Sequence, residues 1–350
     1  MTRTRRRTTQ AVKIDDVARQ AGVSAMTVSR VMNRESGVRP GTREKVLKAV
    51  EALNYQPNRS ARRLAKGGEV HIGLIYANPS DSYLGRFLHG ALGAAQRTDN
   101  HLIVDICDED RPASYVSSAL RLAKANIAGV ILPPPISGSD EILSVFNELQ
   151  IPVATVANGN KAMTFRDIRI DDEEAAARMT RHLIDLDHKN IGFIQGKPDQ
   201  ASSLLRERGF RREMEIAGLR VDPDYIAPGQ FTYRSGVEAA AQLLGLDKPP
   251  TAIFASNDDM AAATIGVAHR KGLIVPDDLS VVGFDNSPSA ISVWPELTTI
   301  DQPVSAMAAA AFELVLKQIH EPADAEEIES AEAPLDCELI VRGSCGPSKE

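Results

Sequence analysis

Apolar positions change their period along this chain. From Ile14 to Leu53 they recur at intervals of three and four, which predicts short helices. The first is expected over Ile14 to Ala21. Asp15 and Asp16 fall in its first turn, where the helix dipole favours negative charge. Val17, Ala18 and Ala21 share one face. Gly22 follows and can take the left-handed conformation of a sharp turn. Ser24 can cap a second helix, Ala25 to Asn33, with Val28, Val31 and Met32 packing back on the first. A third runs from about Thr42 to Asn54, with Val46, Ala49, Val50 and Leu53 facing inward. After Gly67-Gly68 the pattern becomes short apolar runs separated by helical stretches. The runs are Val70 to Tyr76, Leu102 to Cys107, Gly129 to Leu132 and Ile151 to Val156, then Ile191 to Gln195, Ala252 to Ala255 and Ser280 to Phe284. Short buried strands alternating with helices make parallel sheets. Two such series predict an α/β body of two doubly wound lobes behind a helical head.

Charge divides the chain at the same place. The first 68 residues hold 16 Lys and Arg against 5 Asp and Glu; the remaining 282 hold 24 against 42. A basic head on an acidic body implies a polyanion as the partner of the head, and DNA attracts such proteins through counterion release. Three cysteines without close metal-ligand spacing, Cys107, Cys337 and Cys345, fit a reducing compartment and no metal site. The Arg-rich start lacks the apolar run of a secretory signal, and no stretch approaches a membrane span. A cytoplasmic protein with no membrane partner is therefore expected. The acidic segment Glu321 to Glu332 is expected to be a solvated loop.

In the head, Ala18, Gly22 and Val28 have the spacing of a helix-turn-helix. Its second helix would enter the major groove. The outward positions are read as Ala25, Met26, Ser29 and Arg30. Arg30 can grip guanine O6 and N7 together, while Ala25 and Met26 can meet a thymine methyl or fill space. Ser24, Thr27 and Asn33 suit phosphates, which position without specifying. In the body, ligands sit beyond the carboxyl ends of the strands. Polar residues stand there: Asn78, Ser80, Asp81 and Tyr83 after the first run, the stretch GKPDQASSLLRERGF after the fifth, Ser256, Asn257 and Asp258 after the sixth, and Asp285 and Asn286 after the seventh. Polar groups converging from both lobes suit a small polar ligand.

The segments IDDVARQAGVSAMTVSRVMN and VRPGTREKVLKAVEALNYQPNRSARRLAKG resemble the headpiece of the lactose/galactose repressor family, without a gap from Ile14 to Gly67. The resemblance implies that Asn58 to Lys66 is a hinge that becomes helical on the operator. Asn58, Arg59 and Arg62 would then lie on the DNA, and Leu64 would wedge into a base step of the minor groove. The residues themselves agree, being basic with few apolar anchors. HIGLIYANPSDSYL, HLIDLDHKNIGFIQG, LLRERGF, ASNDDMAAATIGVAHRKGLIVPDDLSVVGFDNSP and ELTTIDQP resemble the effector-binding core of the same family, which has the periplasmic sugar-binding fold. Position by position this implies Arg206 and Asp285 as effector ligands, Asn257 and Asp258 beside them, and Phe231 as the stacking aromatic. Tyr83 and Gln302 also fall on lining positions, with Gln200 and Ser202 in the loop before Arg206. One departure stands out: many sugar-binding members carry an aspartate at the end of the strand written IPVATVAN, and this chain has Ala157, with Asn158 beside it.

The resulting expectation is a basic arm over 1–9, a DNA-binding headpiece over 10–57 and a hinge over 58–68. One effector lobe takes 71–170 and 303–330; the other takes 171–302 and 331–345. The chain would act as a homodimeric repressor on a pseudo-palindromic operator, controlled by a small polar effector. A saccharide is the favoured effector and a purine the alternative. A small-molecule-binding protein of the same body fold without a DNA role is the other class; the basic head argues against it. No phosphate loop, dinucleotide fingerprint or zinc-like histidine spacing occurs, so neither an enzyme nor a cofactor is expected.

Overall fold

In the computed structural model the described residues are 14–32, 39–53, 69–77, 80–108, 111, 113–159, 166–321 and 333–349. They form two compact units, Met1–Gly68 and Glu69–Glu350. In the first, α1 (Ile14–Ala21), α2 (Ala25–Met32) and α3 (Pro40–Ala52) surround one small core. Gly22 turns the chain at φ +66°, letting the Val23 amide reach the Ala18 carbonyl at 3.0 Å. The Ser24 hydroxyl accepts from the Thr27 amide at 3.2 Å, which caps α2. Val17, Ala18, Val28, Val31, Val46 and Ala49 are buried; Val50, Met32 and Leu53 pack partly buried against them. α3 begins two residues before the expected Thr42, because Pro40 already has the φ of a first helical position.

In the second unit five strands run parallel in the order β2-β1-β3-β4-β5. They are β1 (His71–Tyr76), β2 (His101–Ile106), β3 (Gly129–Leu132), β4 (Val153–Val156) and β5 (Arg166–Ile168). Between them come α4 (Asp81–Arg97), α5 (Ala113–Lys124) and α6 (Asp140–Glu148). α7 (Asp172–Asp185) leads into a four-stranded parallel sheet of order β7-β6-β8-β9. Its strands are β6 (Ile191–Ile194), β7 (Ile226–Ala227), β8 (Ala252–Ala255) and β9 (Ser280–Val282). Its helices are α8 (Ala201–Ile216), α9 (Tyr233–Leu243), α10 (Asp258–Arg270) and the short α11 (Pro288–Ser292). β10 (Thr299–Asp301) then pairs antiparallel with β11 (Glu338–Ile340). Between these two strands α12 (Val304–His320) packs on α4, β3, β4 and β5 of the five-stranded sheet.

β5, β7 and β10 were not read as strands in the sequence. Each is two or three residues long and carries too little apolar pattern to register. Conversely, β9 stops two residues before the expected Phe284, although the Gly283 amide still bonds the Thr298 carbonyl at 3.0 Å. One continuous core joins the two sheets through Leu74, Phe87, Phe193, Phe210, Phe254, Phe284 and Phe312. Phe193 stacks on Phe210 at 4.9 Å and meets Phe254 edge-on at 5.2 Å, geometries that rings prefer. Burying each such ring contributes about 1.5–3 kcal/mol. This core holds the carboxyl ends of both strand sets facing one crevice, which is where parallel sheets bind ligands.

Candidate functional site

On α2 of the first unit Met26 is 67% exposed and Arg30 is exposed, as is the capping Ser24 just before the helix, while Ser29 and Thr27 are half-buried. Ala25 is a correction. It was expected to face outward, but it packs partly buried against the Val17–Val46 core, since the first turn of α2 leans on α1. Asn33, Asn58, Arg59, Arg62 and Leu64 lie outside the described residues, as do the arm and the hinge.

In the second unit an open cavity of about 390 Å³ lies between the strand ends. Ser80, Tyr83, Pro134, Ala157, Gln200, Ser202, Arg206, Phe231, Asn257, Asp285 and Gln302 line it. The expected Tyr83, Gln200, Ser202, Arg206, Phe231, Asn257, Asp285 and Gln302 are thus brought together from six stretches of sequence. Asn78 lies outside the described residues.

Arg206 organises the floor. Its guanidinium donates to Asp172 Oδ1 at 2.9 Å, the Ser256 carbonyl at 2.6 Å, Gln302 Oε1 at 3.2 Å and Asp285 Oδ1 at 3.5 Å. It sits 3.5 Å above the centre of the Phe284 ring and 5.9 Å from that of Phe231. Burial demands these partners, because a desolvated charge without them is very costly. Most of its donors therefore serve the protein, leaving little for a ligand. Asn257 is similarly committed. As N-cap of α10 it accepts from the Met260 amide at 3.0 Å, and it donates to the Phe231 carbonyl at 3.0 Å. That bond holds Phe231 at φ +58° with its ring over Gly196.

Asp285 faces the cavity. Burial pushes it up to about 7, against the opposing pull of Arg206 and Arg86. Two donors at the cavity are unspent: the Tyr83 hydroxyl and Gln200 Nε2 are buried and find no acceptor among the described residues. Burial also raises the Tyr83 phenol, with the Asp285 charge adding to it, so the phenol keeps its proton and donates. The site thus offers a carboxylate acceptor, two free donors and an aromatic face, a set that suits hydroxyls on a small ring.

Asp258 is a second correction. It is fully buried and does not line the cavity; its carboxylate accepts from Thr299 Oγ1 at 2.6 Å and the Ser287 amide at 2.6 Å. As first residue of α10 it turns back toward the loop after β9, and it ties that loop to β10. Pro134 was missed in the sequence; its one signal was its place just after β3. Ser80 and Ala157 also line the cavity, although the sequence pattern does not mark them as ligand residues. Ser80 caps α4, accepting from the Tyr83 amide at 3.3 Å, and donates to Asp259 Oδ2 at 3.1 Å. Ala157 stands at φ +50°, and the adjoining turn is fixed by Asp167, which accepts from the Asn158 amide at 3.1 Å. Among the described residues no histidine, cysteine or lysine lines the cavity, and none of them form a metal-binding group. No helix among them is long and apolar enough to cross a membrane.

Comparison with known proteins places these two units. The profile "Bacterial regulatory proteins, lacI family" matches residues 13–58, and "Periplasmic binding protein-like domain" matches residues 180–345. Catabolite control protein A of Priestia megaterium is 35% identical over 95% of this chain and 99% of its own. Among solved structures, a transcriptional regulator CelR–cellobiose complex superposes with TM-score 0.71 at 26% identity, over 95% of this chain and 99% of that one. The lac repressor dimer bound to operator and the anti-inducer ONPF superposes with TM-score 0.72 at 26% identity, over 96% and 99%.

Proposed function

The chain belongs to the lacI family of bacterial regulatory proteins, and from that premise we propose how this member works. It is a DNA-binding transcriptional regulator whose body holds a saccharide effector. The observation that carries the effector reading is the pairing of the Asp285 carboxylate with the free Tyr83 and Gln200 donors beside the Phe231 ring. A sugar offers both donors and acceptors around its rim and an apolar face, and CelR carries cellobiose on the same fold.

The headpiece 10–57 reads the operator through α2, and 58–68 is the hinge, with Leu64 its minor-groove wedge. The body works as two lobes, 71–170 with 303–330 and 171–302 with 331–345. One headpiece offers few base contacts, so two copies related by a two-fold axis read a pseudo-palindrome; the lac repressor binds its operator as a dimer. The protein acts in the cytoplasm by binding, without turnover. A ligand shifts DNA affinity only through its preference for one lobe arrangement, and here that preference relieves repression.

Calorimetry of the full chain against mono- and disaccharides, sugar phosphates and nucleobases tests the effector class. A saccharide is expected to bind, and Asp285→Ala is expected to abolish the heat. Binding of a nucleobase with no response to any sugar would overturn the saccharide reading in favour of the purine one.

A further inference from the structure

Arg86 lies on α4, outside the cavity lining, yet its guanidinium is spent on the cavity's frame. Nη1 donates to the Asp285 carbonyl and, at 3.3 Å, to the Asn286 carbonyl. Nη2 donates to the Gln302 carbonyl at 2.7 Å, and the Asp301 carboxylate lies 3.7 Å away. These acceptors sit on the two segments whose side chains face Arg206. Arg206 holds Asp285 and Gln302 by their side chains; Arg86 holds the same two residues by their backbone, from another helix. α4 follows β1 and packs beside β2 and α12, whereas Asp285 follows β9 of the four-stranded sheet. Asp285 and Asn286 stand at φ +108° and +52°, left-handed values that non-glycine residues hold only when their surroundings impose them.

We propose that Arg86 is a positioning residue of the ligand cavity: from α4 it fixes the backbone of Asp285, Asn286 and Gln302, and so sets how the Asp285 carboxylate and the Gln302 amide face the ligand. The proposal rests on reading the cavity as the effector site. The planar fork of an arginine suits three carbonyls fanned around it; a lysine would keep the charge as a compact point and lose the fan. The Ser305 hydroxyl accordingly anchors the Arg86 carbonyl at 2.9 Å, tying α12 into the same arrangement. Because the bonds run from α4 to the loop after β9, any relative movement of the two sheets strains or releases the residues that meet the ligand. Arg86 thus links ligand geometry to lobe placement.

The test uses the full-length protein without ligand. Carboxyl-labelled aspartate is followed by NMR, with Asp285 assigned by its absence in Asp285→Asn, and amide exchange is measured in parallel. The charges around Asp285 are Arg206 and Arg86, opposed by Asp259 and Asp172, with Asp258 alongside. Arg86→Met removes a cation, so the Asp285 titration is expected to move upward, and amides at 285–287 and 302 to exchange about tenfold faster. Arg86→Lys is expected to return the titration toward wild type without restoring slow exchange. Wild-type titration and exchange in Arg86→Met would overturn the proposal. So would exchange that rises equally across both sheets, which marks a merely structural role. If Arg86→Met does not fold, wild-type exchange at 285–287 in Arg86→Lys overturns it instead. None of these readouts involves an effector, so failure here leaves the effector reading standing, and failure of that reading leaves them unchanged.

Discussion

Asp258 has both carboxylate oxygens occupied by donors, yet burial and the nearby Asp285 charge push it up to about 8. Its folded value lies above the 3.8 of an ordinary aspartate, so the folded chain keeps a proton that the unfolded chain releases. Stability contributed by that proton is present at low pH and is lost as pH rises from about 4 toward 8. Asp285, pushed up to about 7, acts in the same direction. Denaturant unfolding of Asp258→Asn is therefore expected to show a shallower fall in stability from pH 5.5 to 8.5 than wild type; an equal slope would contradict it. In the headpiece, Arg30→Ala is expected to relax base preference at one pair per half-site, costing about 1–3 kcal/mol of discrimination. Selection of binding sites from a random pool checks it, and an unchanged preferred sequence would refute the recognition role. The sequence brought Asn257 and Asp258 forward together because both follow a strand. Which of the two faces the cavity depends on the first turn of α10, and a linear pattern does not carry that.

Helix packing decides how firmly the frame holds. α4 and α12 approach so closely at Gly90 that a Cβ there would lie 2.0 Å from the Ser305 carbonyl oxygen. Gly90→Ala must push the helices apart, and overpacking of this kind costs about 1–3 kcal/mol. Urea unfolding is expected to show that loss, whereas an unchanged midpoint would mean the contact yields freely. The long helices and the fully apolar strands were legible, because Ile72, Leu74 and Phe254 sit in runs that only buried parallel strands need. β7 escaped notice because Ile226 and Ala227 pair with only two residues of β6. β10 escaped because Thr299 and Asp301 owe their strand form to a partner nearly forty residues away, β11. Cavity residues after clear strands, such as Asn257 and Asp285, were legible for the same reason as the strands. Pro134 carries no polar group and left no mark.

At the scale of the whole molecule, the basic head and the acidic body were separable from composition alone, and the structure divides the chain at Gly68. A positively charged head binds any DNA through counterion release, so operator affinity is expected to fall steeply with salt. What makes the protein a regulator is that occupancy of the body changes what the head does. The most direct test is fluorescence anisotropy of operator DNA titrated with full-length protein, with and without a saccharide shown by calorimetry to bind. The saccharide is expected to weaken operator binding at least tenfold in wild type. Asp285→Ala should bind the operator as tightly as wild type and ignore the sugar. Operator affinity that stays constant while wild type is saturated with the sugar would contradict the account.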